Sequence, residues 1–307
     1  MTEAASVSAL HPMQLDVVSV QSQVVYGRVG NNVAVPALEA LALTVAAVPT
    51  VIFSNTPHYP TIHGGAVPIE WFDGYLQDLS ARGALNALRT ILVGYLGNPA
   101  QAQALERWVR GLLIEHANLR IVIDPVIGDH DHGIYVDPEL IDSYRSLLPL
   151  ADGLTPNGFE LGHLTGLAVN DVDSAITAAR TLLTGRTQWV AVTSTAPDTR
   201  VGNEVQVVLV TRTQAEVIAH PFIHASPKGI GDLFCATLTG HWIKGAGLPE
   251  ATAQACRQVM RALRHTDQKR CAELLLPPRA KGHGNDAGQR HEYIRHFTYR
   301  IQSGDTS

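Results

Sequence analysis

A chain of 307 residues, 45% of them hydrophobic, is long enough for one large α/β domain or two modest ones. Its formal charge of -5 and pI near 6.3 exclude a general nucleic-acid-binding surface, which needs a basic excess, so any phosphate site must be local. Cys235, Cys256 and Cys271 lack metal-ligand spacing and fit a reducing compartment; with no leader pattern and no apolar run of the ~20 residues that span a bilayer, a soluble cytoplasmic protein is expected.

After a small, polar arm over residues 1–14, the β-branched run Leu15 to Val20 predicts a buried strand. It leads into QSQVVYGRVGNN. Polar residues at the end of a core strand, followed by a glycine-bearing turn, are where open α/β sheets place ligand contacts, and Ser22 is the candidate there. Val33 to Leu43 predicts a helix with Pro36 in its first turn, and Val45 to Phe53 a strand interrupted by Pro49. The segment SNTPHYPTIHGGAVP, Ser54 to Pro68, is too rich in proline, glycine and histidine for regular structure and reads as a loop or flap. Helices over Glu70 to Arg82 and Ala100 to His116 alternate with strands over Thr90 to Leu96 and Arg120 to Asp124. This is the βαβ alternation of an α/β fold.

Asp124 and Asp129 in DPVIGDHDHGIYV lie at the carboxyl end of a strand, where they suit oxygen ligation beside a metal–phosphate; Pro125 and Gly128 fit a structural turn equally well. A helix follows over Pro138 to Leu148. GLTPNGFELGHLTG predicts a short strand, a Thr-Pro-Asn turn and a helix. Asn157 caps that helix and Glu160 stands at the N3 position of a capping box, so capping competes with ligation as its role. Asp171 to Thr184 reads as a helix, Trp189 to Ser194 as a strand, and Glu204 to Arg212 with Ala215 to Ala219 as antiparallel strands at the sheet edge.

Pro227 to Leu238, PKGIGDLFCATL, places Gly229 and Gly231 ahead of Asp232 at the start of an apolar helix. Glycines admit a ligand close to the backbone, and the free N–H groups at a helix start attract phosphate. From the first turn, Asp232 is placed to take a proton from an attacking hydroxyl. The bare pattern also fits an ordinary loop-to-helix junction capped by Asp232, and Lys228 fits a solvated lysine as well as a phosphate neighbour. A further helix spans Pro249 to His265. From Pro277 the composition changes, and residues 279–307 read as a mobile or loosely docked tail whose His283, His291 and His296 have no metal spacing.

SVQSQVVYGRVGN, SNTPHY with GGAVP, DPVIGD with GIYV, LTPNGFEL with LTG, VTS and GIGDLFCATLTG occur in the order found in pyridoxal kinases. The chain resembles that family, within the ribokinase-like superfamily, from about Asp16 to Pro278. The resemblance implies one kinase domain over residues 15–278, a three-layer α/β/α sandwich with a mostly parallel central sheet and an antiparallel edge. It also implies ATP-dependent phosphorylation of the 5′-hydroxyl of pyridoxal, pyridoxine or pyridoxamine in pyridoxal phosphate salvage, with Mg²⁺, with K⁺ or Na⁺ as a further candidate, and a homodimer.

Residue by residue, Asp232 matches the base, and Gly229, Ile230 and Gly231 match the amides around the transferring phosphoryl. Ser22 and His58 match vitamin contacts; Asp124, Tyr135 and Glu160 match positions around the metal ions and nucleotide phosphates; Thr155, Asn157 and Thr193 match nucleotide contacts. Ser22, Tyr26, His58 and Tyr59 suit a flat aromatic ring better than a polyol. The rival readings are a hydroxymethylpyrimidine kinase and a non-catalytic pyridoxal-binding protein. Two departures stand out: Ile230 where the family carries a small residue or threonine, and Gly158 and Gly162, which are expected to loosen the helix carrying Glu160.

Overall fold

The computed structural model describes residues 11–195, 204–278 and 294–300. Residues 1–10 of the expected arm, and the tail outside 294–300 with His283 and His291, lie outside the described residues. Strand β1 (Val17–Tyr26) continues beyond its predicted end, because its second half is again β-branched and aromatic and stays paired to β2 (Val45–Asn55). Ser22 therefore sits inside the strand. The register there steps from Gln21–Pro49 to Gln23–Ile52, so Thr50 and Val51 face the single Ser22 in a bulge-like irregularity, a device that re-aims side chains.

Two prolines behave differently from expectation. Pro36 lies in the middle of α1 (Asn31–Glu39), not in its first turn; the Asn32 carbonyl that its missing N–H would have served accepts from Arg28 Nη1 at 3.1 Å. Pro49 does not interrupt β2. Beyond β2 the pairing with β3 (Gly64–Ala66) covers Val51 to Phe53, with Val67 N bonded to Thr50 O at its end, and does not reach Pro49, which sits on a free edge that needs no donor. Strand β3 is also a correction to the irregular flap, since GGA at its C-terminal end is flat enough to pair.

The chain then alternates through α2 (Ile69–Ala81), β4 (Thr90–Val93), α3 (Pro99–Glu115), β5 (Arg120–Ile123), the small hairpin β6 (Gly128–Asp129) and β7 (Gly133–Ile134), and α4 (Glu139–Leu147). It continues through β8 (Gly153–Leu154), α5 (Gly158–Thr165), α6 (Val172–Thr181), β9 (Trp189–Val192), β10 (Glu204–Thr211), β11 (Gln214–Pro221), α7 (Ile230–Ile243) and α8 (Leu248–Gln268). Within the tail, β12 (Arg295–Arg300) pairs antiparallel along β11, and Arg295 bonds Glu204. Its open neighbour β11 supplies a ladder that the local composition does not announce.

The large sheet runs β12-β11-β10-β9-β8-β5-β4-β1-β2-β3, parallel from β9 to β2 and antiparallel at both ends. Strands buried on both faces are mostly apolar, and their side chains divide by parity. Ile121 and Ile123 of β5, Val18 and Val20 of β1, and Val190 and Val192 of β9 join the core under α2 to α6. Val122, Val17, Trp189 and Ala191 join the core under α1, α7 and α8. Three layers result, as the resemblance implied.

Helix α7 is buried from Leu233 to Gly240. Its C-terminal carbonyls meet two guanidinium groups: Arg89 donates to Ile243 O, and Arg120 Nη1 donates to Trp242 O at 3.3 Å. Arg120 also lies 4.3 Å over the Trp242 ring, which meets Trp189 edge-on at 5.3 Å.

Candidate active site

The turn Gly27 to Gly30, after β1, joins the parts of the site. Gly229 caps α7 in the left-handed region at φ 97°, and a Cβ there would lie 1.9 Å from Arg28 O, so only glycine fits. No side chain caps this helix start. Gly30, at φ 52°, has its amide beside Asp232, and a Cβ on it would lie 2.2 Å from Ser22 O and 2.3 Å from Ser22 Oγ. Burial raises the Asp232 carboxyl above its ordinary range, and the Gly30 amide opposes that rise. The acid is half-buried.

Ile230 lies within α7, outside the positive-φ residues, and packs against the apolar core beneath. The residue that departs from the family pattern is therefore unstrained and leaves its backbone amide at the helix start. A Cβ on Gly231 would lie 3.8 Å from Asp124 Oδ2, which places that carboxylate over the same first turn.

Asp124, at the end of β5, is buried and accepts from Thr155 Oγ1 at 2.8 Å. Burial, then the charge of Asp232, pushes its carboxyl up to about 7 against that hydrogen bond. Glu160 is also buried. Its Oε2 accepts from Asn157 N at 2.8 Å while Asn157 Oδ1 accepts from Glu160 N at 2.9 Å, which is a complete capping box; Oε1 accepts from Ile127 N at 3.0 Å. Burial and the Asp124 charge still hold it well above the ordinary carboxyl range, despite these amide donors. Two crowded carboxyls of raised pKa make a site that gains from a cation.

Asn157 Nδ2 also donates to Gly128 O at 2.8 Å, and Asn157 bridges to Thr193, so Thr155, Asn157 and Thr193 border the acids. Burial, then the charges of Glu160, Asp129, Asp124 and Asp232, keeps the half-exposed Tyr135 phenol protonated. Gly158 was expected to loosen α5. It is instead the first helical residue, where a Cβ would lie 2.2 Å from Thr195 O, so the close chain approach demands glycine.

Lys228 is not simply solvated: its Nζ lies 3.7 Å from Asp129 Oδ2. Partial burial works to raise the Asp129 carboxyl, but the ring and backbone N–H of His132, with Lys228, outweigh it and hold it low. On the flap, His58 stacks on Tyr59 at 4.2 Å between ring centres, and Tyr26 lies 6.0 Å from Tyr59. Behind them is Glu273, a buried carboxylate that sequence reasoning missed, as it missed the roles of Gly27 and Gly30. The paired glycines of YGRVG were the available signal; nothing in CAELLLPP sets Glu273 apart. A separate cavity of about 570 Å³, lined by Arg186 and Arg212, contains none of these residues.

The phosphomethylpyrimidine kinase family model matches residues 40–273. The pyridoxine/pyridoxal/pyridoxamine kinase of Bordetella bronchiseptica is 56% identical over 274 residues, covering 89% of this chain and 97% of that protein. A pyridoxal kinase of Rubrobacter xylanophilus is 31% identical, over 85% of this chain and 91% of that one. Among solved structures, pyridoxal kinase from Leishmania donovani in complex with ADP and pyridoxamine superposes with a TM-score of 0.78 at 28% identity, over 85% of this chain and 90% of that one. Matched along nearly its whole α/β/α domain, the chain belongs to the phosphomethylpyrimidine kinase family, among its ribokinase-like pyridoxine/pyridoxal/pyridoxamine kinases.

Proposed function

We propose that the chain transfers the γ-phosphoryl group of ATP to the 5′-hydroxyl of pyridoxal, pyridoxine or pyridoxamine, the reaction that salvages pyridoxal 5′-phosphate. One observation carries the reading: Asp232 lies beside the amide of Gly30, which packs on Ser22, while Asp124 overhangs the same helix start. Base, acceptor strand and phosphate-binding amides thus meet at one point. Ser22 and His58 hold the vitamin ring, and Asp232 accepts the alcohol proton as its oxygen attacks phosphorus. The amides of Gly229, Ile230 and Gly231 stabilise the charge on the transferring phosphoryl oxygens. Thr155, Asn157, Thr193 and Lys228 line the nucleotide side.

Among the described residues no group of three or more His, Cys, Asp or Glu could hold a metal ion by itself. Mg²⁺ is commonly held by one or two carboxylates together with substrate phosphates, and Asp124 and Glu160, with Tyr135 beside them, fit that pattern. Bound there, Mg²⁺ supplies neutralisation of phosphate charge. The homodimer is supported by exposed apolar side chains at the β1–β3 end of the sheet and on α2: Val25, Tyr26, Ile52, Ile62 and Trp71. A cytoplasmic setting is supported by three free cysteines.

The test is ATP-dependent product formation on each of the three vitamers, with hydroxymethylpyrimidine alongside and with K⁺ or Na⁺ as the supporting salt. Faster turnover of a B6 vitamer than of the pyrimidine is expected. Preference for the pyrimidine, or pyridoxal binding with background turnover, would overturn the reading.

A further inference from the structure

Glu273 follows α8, 217 residues away from Thr56, yet its carboxylate lies beneath the flap at 6% exposure. A buried carboxylate is costly unless partnered. Its partners here come almost wholly from one short stretch. Thr56 Oγ1 donates over 3.4 and 3.5 Å towards the two carboxylate oxygens, His58 Nε2 lies 3.5 Å from Oε1, and Glu273 is the chief group raising the pKa of the neighbouring Tyr59 phenol. His58 Nδ1 lies 3.0 Å from Thr56 Oγ1, which closes the ring of contacts. Gly27 seals the remaining side. At φ 113°, a Cβ on it would lie 2.7 Å from Thr56 Cγ2 and 2.8 Å from Glu273 Oε2, so the turn that carries Gly30 to Asp232 rests on the same carboxylate.

We propose that Glu273 is a positioning residue: it fixes the flap through Thr56, His58 and Tyr59, and so sets where the vitamin ring lies relative to Asp232. This rests on the kinase reading above. Glu273 acts on the acceptor side, since the nucleotide-side residues Asn157, Thr193 and Lys228 sit on other elements.

Glu273→Gln keeps the shape and removes the charge. The expected result is a KM for pyridoxal raised about tenfold, with KM for ATP within about twofold and kcat within about threefold of wild type. Adding Thr56→Val should raise KM little further, because the two side chains act as one unit. In the ligand-free protein, amides 56–63 should exchange hydrogen about tenfold faster in Glu273→Gln. An unchanged KM for pyridoxal overturns the proposal, and so do equal rises in both KM values with a lowered Tm. If wild-type protein phosphorylates no vitamer, the kinase reading fails, while hydrogen exchange still decides the matter: unchanged flap exchange overturns the anchoring role.

Discussion

Asp124, Glu160 and Asp232 each keep their proton above the ordinary carboxyl range, chiefly because burial disfavours their charged forms. For Asp124 the linkage has a definite sign. Its carboxyl moves from 3.8 to about 7 on folding, so its stabilising contribution is present below 3.8 and is lost as pH rises through about 7. Asp124→Asn in the ligand-free protein should therefore be more stable than wild type at pH 8 by on the order of 1–3 kcal/mol, with a smaller advantage at pH 5. Urea denaturation at the two pH values measures the difference, and a pH-independent gap would refute the assignment. Asp232→Ala should lose about 10²–10⁴ in turnover while still binding pyridoxal and nucleotide. Calorimetric titration beside steady-state kinetics tests both halves. At this scale the acids were legible because each stands at a strand end or helix start. Glu273 was not legible, since its partners lie in another part of the chain and only folding brings them together.

The turn after β1 does more than connect. Gly30→Ala would drive a methyl group into the Ser22 backbone and hydroxyl at a positive φ and disturb the amide beside Asp232. It should cost about 1–3 kcal/mol of stability and at least about tenfold in turnover. Denaturant melts and kinetics on the same preparation separate the two effects. Among elements, the long helices α2 and α3 were legible from their apolar period, and β5 and β9 from short apolar runs. Pro36 and Pro49 misled because their tolerance comes from Arg28 and from a free sheet edge, neither of which is local in the helix or strand pattern. Strands β3 and β12 escaped notice because pairing partners, not their own residues, make them strands.

Across the molecule, the candidate site residues gather near the middle of the sheet, while its two ends carry other tasks. Strand β12 covers β11, and an uncovered strand edge invites pairing with another chain. Ending the protein at residue 278 should leave KM and kcat within about threefold while promoting concentration-dependent association, read by light scattering after size exclusion. Unaltered solution behaviour would show that the cover is dispensable. The α/β class was legible from alternation and the three layers from the family resemblance, but which end of the sheet stays open depends on long-range pairing.

The guanidinium of Arg120 has a larger consequence than capping a helix. From Arg120, at the start of β5, to Asp124, just past its end, the chain advances about 13 Å, and α7 returns from Asp232 to Trp242, about 15 Å. Arg120 bolts the rear corners together at Trp242, and Asp124 faces Gly231 at the front. The two members form a rectangle of nearly matched sides, so the separation between the Asp232 and Asp124 carboxyls is set by the rigid lengths of a strand and a helix rather than by any loop.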